Sequence, residues 1–394
     1  MKVLIVGAGI AGPTLAYWLL RAGHEATIVE RAPELRRGGY LVDFWGAGFD
    51  VAERMGIVPE LRRRGYVLTE ARSVDREGRR VASLDPAAML GPTQRQRYVS
   101  IARSDLAAVI YEALDGAVEV ILDDTVDTLV DDDGDRVRVA FESGSIRDFD
   151  LVVGADGLHS RVRRLAFGPD ELFENYLGIV VSAFEAEGYR PRDELVAMMH
   201  AGVGFQALRL SLRDDVTLFL VTVRHDGRVP ADDRAAQQAL LRTRLAGQGW
   251  EVPAMLELMP RAKTFYFDAV SQIRMPSWTL GRVALVGDAA ACPSFLAGQG
   301  SALAMVEAYT LAAELARSGD HREAFARYEE RLAPLLRSKQ HAAAGLGLAF
   351  APKSRLQLLQ RNTVMRLMGL PKVADLVMGK SFRDAVELPT FPVS

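Results

Sequence analysis

Residues 2–6, KVLIV, are apolar and largely β-branched with no polar alternation. That is the pattern of a parallel strand covered on both faces. A glycine-rich turn follows, then apolar positions at helical spacing over 10–21, then a second β-like run, EATIV, ending in Glu30. Further apolar runs read as strands: VEVIL (118–122), RVRVAF (136–141), DLVVGAD (150–156), FYFDAV (265–270) and RVALVGDAA (282–290). The alternation over 66–83 predicts a hairpin around DREGRR, and the acidic run at 131–135 reads as a solvated hairpin tip, not a metal site. Residues 194–225 read as long antiparallel strands with tight turns, and most of the chain after 300 reads as helix. The predicted fold is α/β. A Rossmann-like nucleotide-binding domain (1–72, 98–175 and 269–345) is interrupted by a strand-rich substrate domain (73–97 and 176–268), with a C-terminal helical segment (346–394).

Composition narrows this picture. The chain has 394 residues, 49% of them hydrophobic, enough for two or three domains. A net charge of −3 gives no global attraction to nucleic acid or to anionic membrane. One cysteine, Cys292, allows no disulfide within the chain, which fits a reducing cytoplasm. The opening does not read as a secretory leader: three glycines and Pro13 interrupt its apolar run, and a strand and a placed acid follow. No segment has the roughly 20 unbroken apolar residues of a membrane span.

Gly7, Gly9 and Gly12 form G-x-G-x-x-G between a strand and a helix. The first glycine permits the tight turn, the second lets backbone approach a pyrophosphate, and the third lets the helix pack on the strand. The helix N-terminus then faces the phosphates, and Glu30 is placed to accept ribose hydroxyls. The motif indicates a dinucleotide without choosing between NAD and FAD. Two further stretches pair an apolar strand with a polar turn. GADGLHSRVRR (154–164) carries Asp156, with Ser160 capping a basic helix. LVGDAAACPSFLAGQGSALAMVEA (285–308) carries Asp288, then Gly298, Gly300 and Ser301 at the mouth of a helix.

With these three motifs in order over about residues 1–316, the chain resembles the class A flavoprotein monooxygenases, the fold of para-hydroxybenzoate hydroxylase. GGYLVD, IARSDL and GQGSALA look most like the compact tetracycline-modifying hydroxylases. The resemblance implies FAD as cofactor, with Gly7, Gly9, Ala11 and Gly12 at the pyrophosphate and Glu30 at the adenosine ribose. Arg31 and Val126 fall at the adenine end, Arg103 at the pyrophosphate and ribityl region, and Asp288 on the ribityl chain. Asp156 is implied to serve FAD and reduced nicotinamide together. Gly298, Gly300 and Ser301 place N–H groups where reduction leaves negative charge on the flavin. Two positions depart from the family: Ala291 stands where histidine is frequent, and Ala302 where asparagine is frequent.

A single Rossmann fingerprint implies that NADPH or NADH binds transiently as reductant. The implied reaction is hydroxylation of an aromatic or polyketide-like small molecule with O₂ through a flavin C4a-hydroperoxide. The flavin carries the chemistry, and no protein nucleophile is required. Candidate substrate-wall residues are Trp45, Phe205, Gln206 and Leu208. His24, His159, His200, His225, His321 and His341 lack metal-ligand spacing and read as surface or structural. A same-fold flavin reductase, a Baeyer–Villiger oxygenase and a non-catalytic flavin-binding protein remain open alternatives. The C-terminal stretch SRLQLLQRNTVMRLMGL reads as a helix packed over the body with its charges (Lys353, Arg355, Arg361, Arg366) in water; an interfacial membrane helix is the other reading.

Overall fold

The computed structural model describes residues 1–35, 40–86, 95–131, 135–368 and 386–392. Part of the GGYLVD loop, the centre of the acidic run and residues 369–385 lie outside these.

Two sheets organise the molecule. The first has six strands in the order Thr279–Leu280, Val283–Leu285, Leu151–Gly154, Lys2–Val6, Glu25–Glu30, Glu119–Leu122. All neighbours are parallel except the edge pair 279–280 with 283–285. Val3, Leu4, Ile5 and Val6 are buried; helix Ala11–Arg21 and strand Ile146–Phe149 of a separate three-stranded sheet both contact this strand. Helix Ala11–Arg21 packs on this sheet and against helix Gly300–Arg317, which is buried without a break from 302 to 315. The Trp18 and Tyr309 rings meet edge to face at 4.8 Å in that contact.

The second sheet has seven strands in the order Phe265–Ile273, Glu174–Glu187, Val216–Arg224, Phe205–Ser211, Val196–Gly202, Glu70–Val74, Arg80–Leu84. The hairpin at 70–84 joins it by parallel pairing of Glu70–Val74 with 196–200, and the remaining pairs are antiparallel. Side-chain parity gives the sheet two apolar faces. Phe184, Phe205, Ala207, Phe219, Val221 and Val223 are covered by helices Arg234–Leu245 and Val252–Leu258. Ile179, Val181, Leu210, Leu218, Leu220 and Val270 turn the other way, toward Tyr40, Phe295, Leu296 and Phe350.

The C-terminal segment crosses that second face. Thr222 Oγ1 donates to the Phe350 carbonyl (3.0 Å), Arg224 Nε to Ala351 (2.7 Å), and the Gly204 N–H to Pro352 (2.7 Å). Helix Arg355–Met368 then lies over the hairpin edge. Lys353, Arg355 and Arg366 are exposed as expected, but one charge and the apolar side chains depart from the sequence expectation. Arg361 points inward at 8% exposure, while Leu356, Leu359, Val364 and Leu367 point outward at 48–64%. Arg361 is tolerated inside because neutral oxygens satisfy it: Ala349 O at 2.8 Å, Gln206 Oε1 at 2.7 Å and Asn362 Oδ1 at 3.1 Å. The closing ELPTF stretch lies across the body. Pro389 O accepts from Tyr309 Oη at 2.7 Å, and Phe391 packs on Trp18 at 4.8 Å. Among the described residues, no helix is long and apolar enough to cross a membrane.

Candidate functional site

The first turn is fixed by close packing. Gly7 has φ +112°, and a Cβ there would stand 2.5 Å from the Ala155 carbonyl oxygen; a Cβ on Gly12 would stand 2.0 Å from Gly7 O. Gly9 differs: its nearest neighbour would be Arg103 Nη2 at 3.8 Å, so its open side faces a guanidinium. Glu30 accepts the Ala8 N–H at Oε2 (2.8 Å) and the Ala32 N–H at Oε1 (3.0 Å), which fixes the carboxylate and leaves each oxygen a further lone pair for a sugar hydroxyl.

Arg103 opens helix Arg103–Glu112, and its N–H donates to Tyr40 O at 3.0 Å. Its guanidinium has no carboxylate at ion-pair distance among the described residues. Burial pulls its pKa down, but Tyr40, Asp288, Tyr266 and Glu30 hold it above the usual arginine value. Asp288 is half-buried and follows Gly287 (φ +67°); its Oδ1 lies 3.7 Å from where a Gly300 Cβ would be.

Helices Ala11–Arg21 and Gly300–Arg317 both begin here with no side-chain cap and no acid in the first turn. Two uncapped N-termini beside one unpaired arginine make a site for an extended anion. Gly298 supplies the left-handed residue (φ +64°) at the second of them, with open space around it, and Ser301 is half-buried just inside the helix.

The other residues expected here sit differently. Asp156 turns inward to cap helix Arg161–Ala166, accepting from Ser160 Oγ (2.5 Å) and the N–H groups of Arg161 (2.7 Å) and Val162 (3.1 Å); burial raises its pKa. Its carboxylate therefore holds the turn. Val126 is fully buried, so only its main chain is available to a ligand, and Arg31 is exposed. Ala302 also has a packing reason. A Cβ on Gly48 would come within 2.6 Å of the Ala302 Cβ, so helix Ala47–Arg54 packs tightly against this position.

Residues 1–336 match the family described as "FAD binding domain". An uncharacterized protein of Mycobacterium tuberculosis is 41% identical over 332 residues, spanning 83% of this chain and 89% of its own. A flavin-dependent monooxygenase from an unknown prokaryotic organism is 35% identical over 395 residues and covers 99% of both chains. The crystal structure of tetracycline destructase Tet(55) superposes with a TM-score of 0.84 at 33% identity, covering 99% of this chain and 98% of that one. The chain belongs to the class A flavoprotein monooxygenases. It is an FAD-dependent monooxygenase.

Next to Arg103, on the far side of Tyr40, lies the second face of the seven-stranded sheet. Tyr40 packs on Tyr266 (5.2 Å) and on Phe295 (5.4 Å), and Phe295 packs on Phe350 (6.3 Å). Burial pushes the Tyr40 phenol up to about 12 and Tyr266 well above its usual value. Leu208 is half-buried against this face. Gln206 shares its parity and is tied to Arg361.

Two wall candidates are corrected. Phe205, at 1% exposure, points to the opposite face and into the helix-covered core, because adjacent strand residues alternate sides. Trp45, at 5% exposure, is enclosed, with Lys339 Nζ over its ring at 6.0 Å.

Several residues have roles that the sequence did not assign. Arg163, fully buried, joins the two later motifs: it donates to Leu158 O (2.6 Å) and Ala289 O (3.0 Å) and pairs with Asp170 (2.6 Å). Glu307 accepts the Gly287 N–H at 2.8 Å behind Asp288, and burial holds its carboxyl well above the usual range. Tyr266 and Asp268 were detectable in principle, since the alternation in FYFDAV places 266, 268 and 270 on one face. Tyr40, Arg224 and Arg361 carry no local signal.

Proposed function

We propose that this enzyme hydroxylates a polycyclic aromatic or polyketide-like small molecule held between the flavin and the Leu208–Leu220 face of the sheet. The observation that carries this reading is the end-to-end likeness to a tetracycline destructase at 33% identity, together with an aromatic and aliphatic wall of Tyr40, Tyr266, Phe295, Phe350 and Leu208. Such a wall suits a flat, largely apolar substrate.

In this reading Gly7, Gly9, Ala11 and Gly12 hold the FAD pyrophosphate against the first helix N-terminus, with Arg103 as counter-charge. Glu30 holds the adenosine ribose, Arg31 and the Val126 main chain border the adenine, and Asp288 binds the ribityl chain. Gly298, Gly300 and Ser301 offer uncapped N–H groups that stabilise negative charge on the reduced ring. Asp156 acts through the turn it caps. FAD, when bound, supplies hydride acceptance from NADPH or NADH and O₂ activation. The sheet and the C-terminal crossover exclude water from the substrate. Residues 1–72, 98–175 and 269–345 then form the cofactor domain and 73–97 and 176–268 the substrate domain; within the C-terminal segment 346–394, residues 350–368 cover the substrate domain and 387–391 lie on the cofactor domain. The enzyme works in the cytoplasm, without nucleic-acid partners.

The test is a substrate screen, beginning with tetracycline, scored by stimulated NADPH oxidation and by product mass under ¹⁸O₂. A product carrying one ¹⁸O at a hydroxyl supports the reading. Stimulated oxidation that yields only H₂O₂ across aromatic and polyketide libraries contradicts it. Ring-expanded product would assign Baeyer–Villiger chemistry.

A further inference from the structure

Segment 292–299 joins Asp288 to the N-terminus of helix Gly300–Arg317, and its two ends meet: a Cβ on Gly300 would stand 3.7 Å from Asp288 Oδ1. Two side chains on this segment are buried with a polar atom that nothing satisfies. Ser294 is 3% exposed and Gln299 6% exposed, and among the described residues Ser294 Oγ and Gln299 Nε2 have no hydrogen-bond partner. Native structures rarely keep such groups unmet, because burial has already removed their water. The main chain of Ser294 lacks nothing: its carbonyl accepts the Ala297 N–H at 3.2 Å, and its N–H faces the Cys292 thiol. Ser294 also has φ +94° and ψ 160°, a conformation almost confined to glycine. Backbone strain and an unmet hydroxyl therefore fall on one residue. Its neighbours fix its place. The Cys292 thiol borders both Asp288 and the Ser294 N–H, and Phe295 packs on Tyr40 at 5.4 Å. Ser294 thus lies between the acid assigned to the ribityl chain and the aromatic row assigned to the substrate.

We propose that Ser294 Oγ and Gln299 Nε2 donate hydrogen bonds to the polar edge of the isoalloxazine ring of FAD. This rests on the cofactor reading above. The ring is the part of FAD that belongs between the ribityl chain and the substrate, and its edge offers the acceptors N1, O2, O4 and N5 to a hydroxyl and an amide. Gly298, between the two donors in sequence, has open space where a Cβ would be, so the segment is not packed shut there. Because the ring is common to FAD and FMN, the two side chains act alike on both flavins, unlike Glu30. The edge gains negative charge on reduction, so donors to it favour the reduced ring.

The test compares full-length wild type, Ser294→Ala and Gln299→Leu, each stripped of flavin and titrated with FAD and with FMN. Ser294→Ala keeps the strained backbone and removes only the hydroxyl. Each variant should bind both flavins more weakly by the same factor, about tenfold. The Tm of each apoprotein should equal or exceed that of wild type, because an unmet buried donor is gone. The reduction potential of the bound flavin should move to more negative values. Unchanged flavin affinity overturns the proposal; if KM for the substrate rises instead, the donors serve the substrate. A loss confined to FAD overturns it as well, by placing the donors at the ADP half. So does a lowered apoprotein Tm, which would mean that the two groups bond within the protein. Failure of the wild type to bind either flavin would overturn the cofactor reading itself, whereas a wild type that binds FAD beside indifferent variants overturns only the role of Ser294 and Gln299.

Discussion

The two ends of this enzyme that we propose hold the cofactor and the substrate are built by different means. At the cofactor end, most of the geometry is set within a few residues of each motif. Gly12 is required because a Cβ there would stand 2.0 Å from Gly7 O, and Glu30 is fixed by the Ala8 and Ala32 N–H groups; Gly7 alone depends on a distant segment, since its Cβ would stand 2.5 Å from Ala155 O. At the substrate end, the wall is assembled from residues 40, 208, 266, 295 and 350, brought together by sheet parity and by a C-terminal crossover. A backbone-defined site is specified locally and tolerates little change. A side-chain-defined site can be altered while the sheet beneath it stays the same.

The two glycines of the first turn give the sharpest way to break this contrast. Gly12→Val should fail to fold or lose more than about 3 kcal/mol, because its Cβ would overlap Gly7 O. Gly9→Ala should fold with a normal Tm, since only Arg103 Nη2 comes near, yet bind FAD more weakly in a fluorescence titration of apoprotein. Equal stability in both variants would mean the turn is not fixed by packing.

Parity in strand Phe205–Ser211 supplies the next comparison. Phe205→Ala removes a ring from the helix-covered core and should cost about 3–5 kcal/mol in denaturant unfolding. Leu208→Ala, on the half-buried face, should cost less and should raise KM for the substrate. A KM effect from Phe205 and none from Leu208 would reverse the assignment of faces.

Arg361→Ala should destabilise by about 1–3 kcal/mol, by leaving Ala349 O and Gln206 without their donor. If the outward leucines of this helix anchored the enzyme to membrane instead, the variant would keep its Tm and differ only in sedimentation with anionic vesicles. Glu30→Ala gives an effect of similar size on a different quantity: FAD affinity should fall by about 1–3 kcal/mol, with stability nearly unchanged.

These contrasts explain what was legible in the sequence. The parallel-strand pattern, the glycine fingerprint and the two Gly-Asp turns are local signals, and each lies where the periodicity places it. The hairpin at 70–84 was legible as a hairpin, because alternation around a turn is local too. Parity was available for Phe205 and Leu208 but not its sign, since Phe205 and Leu208 are both apolar and the sheet is buried on both faces. The inward Arg361 was not legible at all. A helix with four leucine or valine residues on one side reads as burying that side, and only the oxygens of Ala349 and Gln206, set by distant segments, reverse it. Ala302 shows the same limit: the sequence marks it only as a departure from the family, and the tight packing of Gly48 against it comes from a distant helix.

The most direct test of the account is a paired titration of apoprotein with FAD and with FMN, followed by quenching of flavin fluorescence. Gly9, the first helix N-terminus and Glu30 are assigned to the ADP half, which FMN lacks. FAD should therefore bind at least about 100-fold more tightly, a difference of about 2.7 kcal/mol. Equal affinity for the two flavins would contradict the assignment of the cleft and, with it, the cofactor end on which the rest of the mechanism depends.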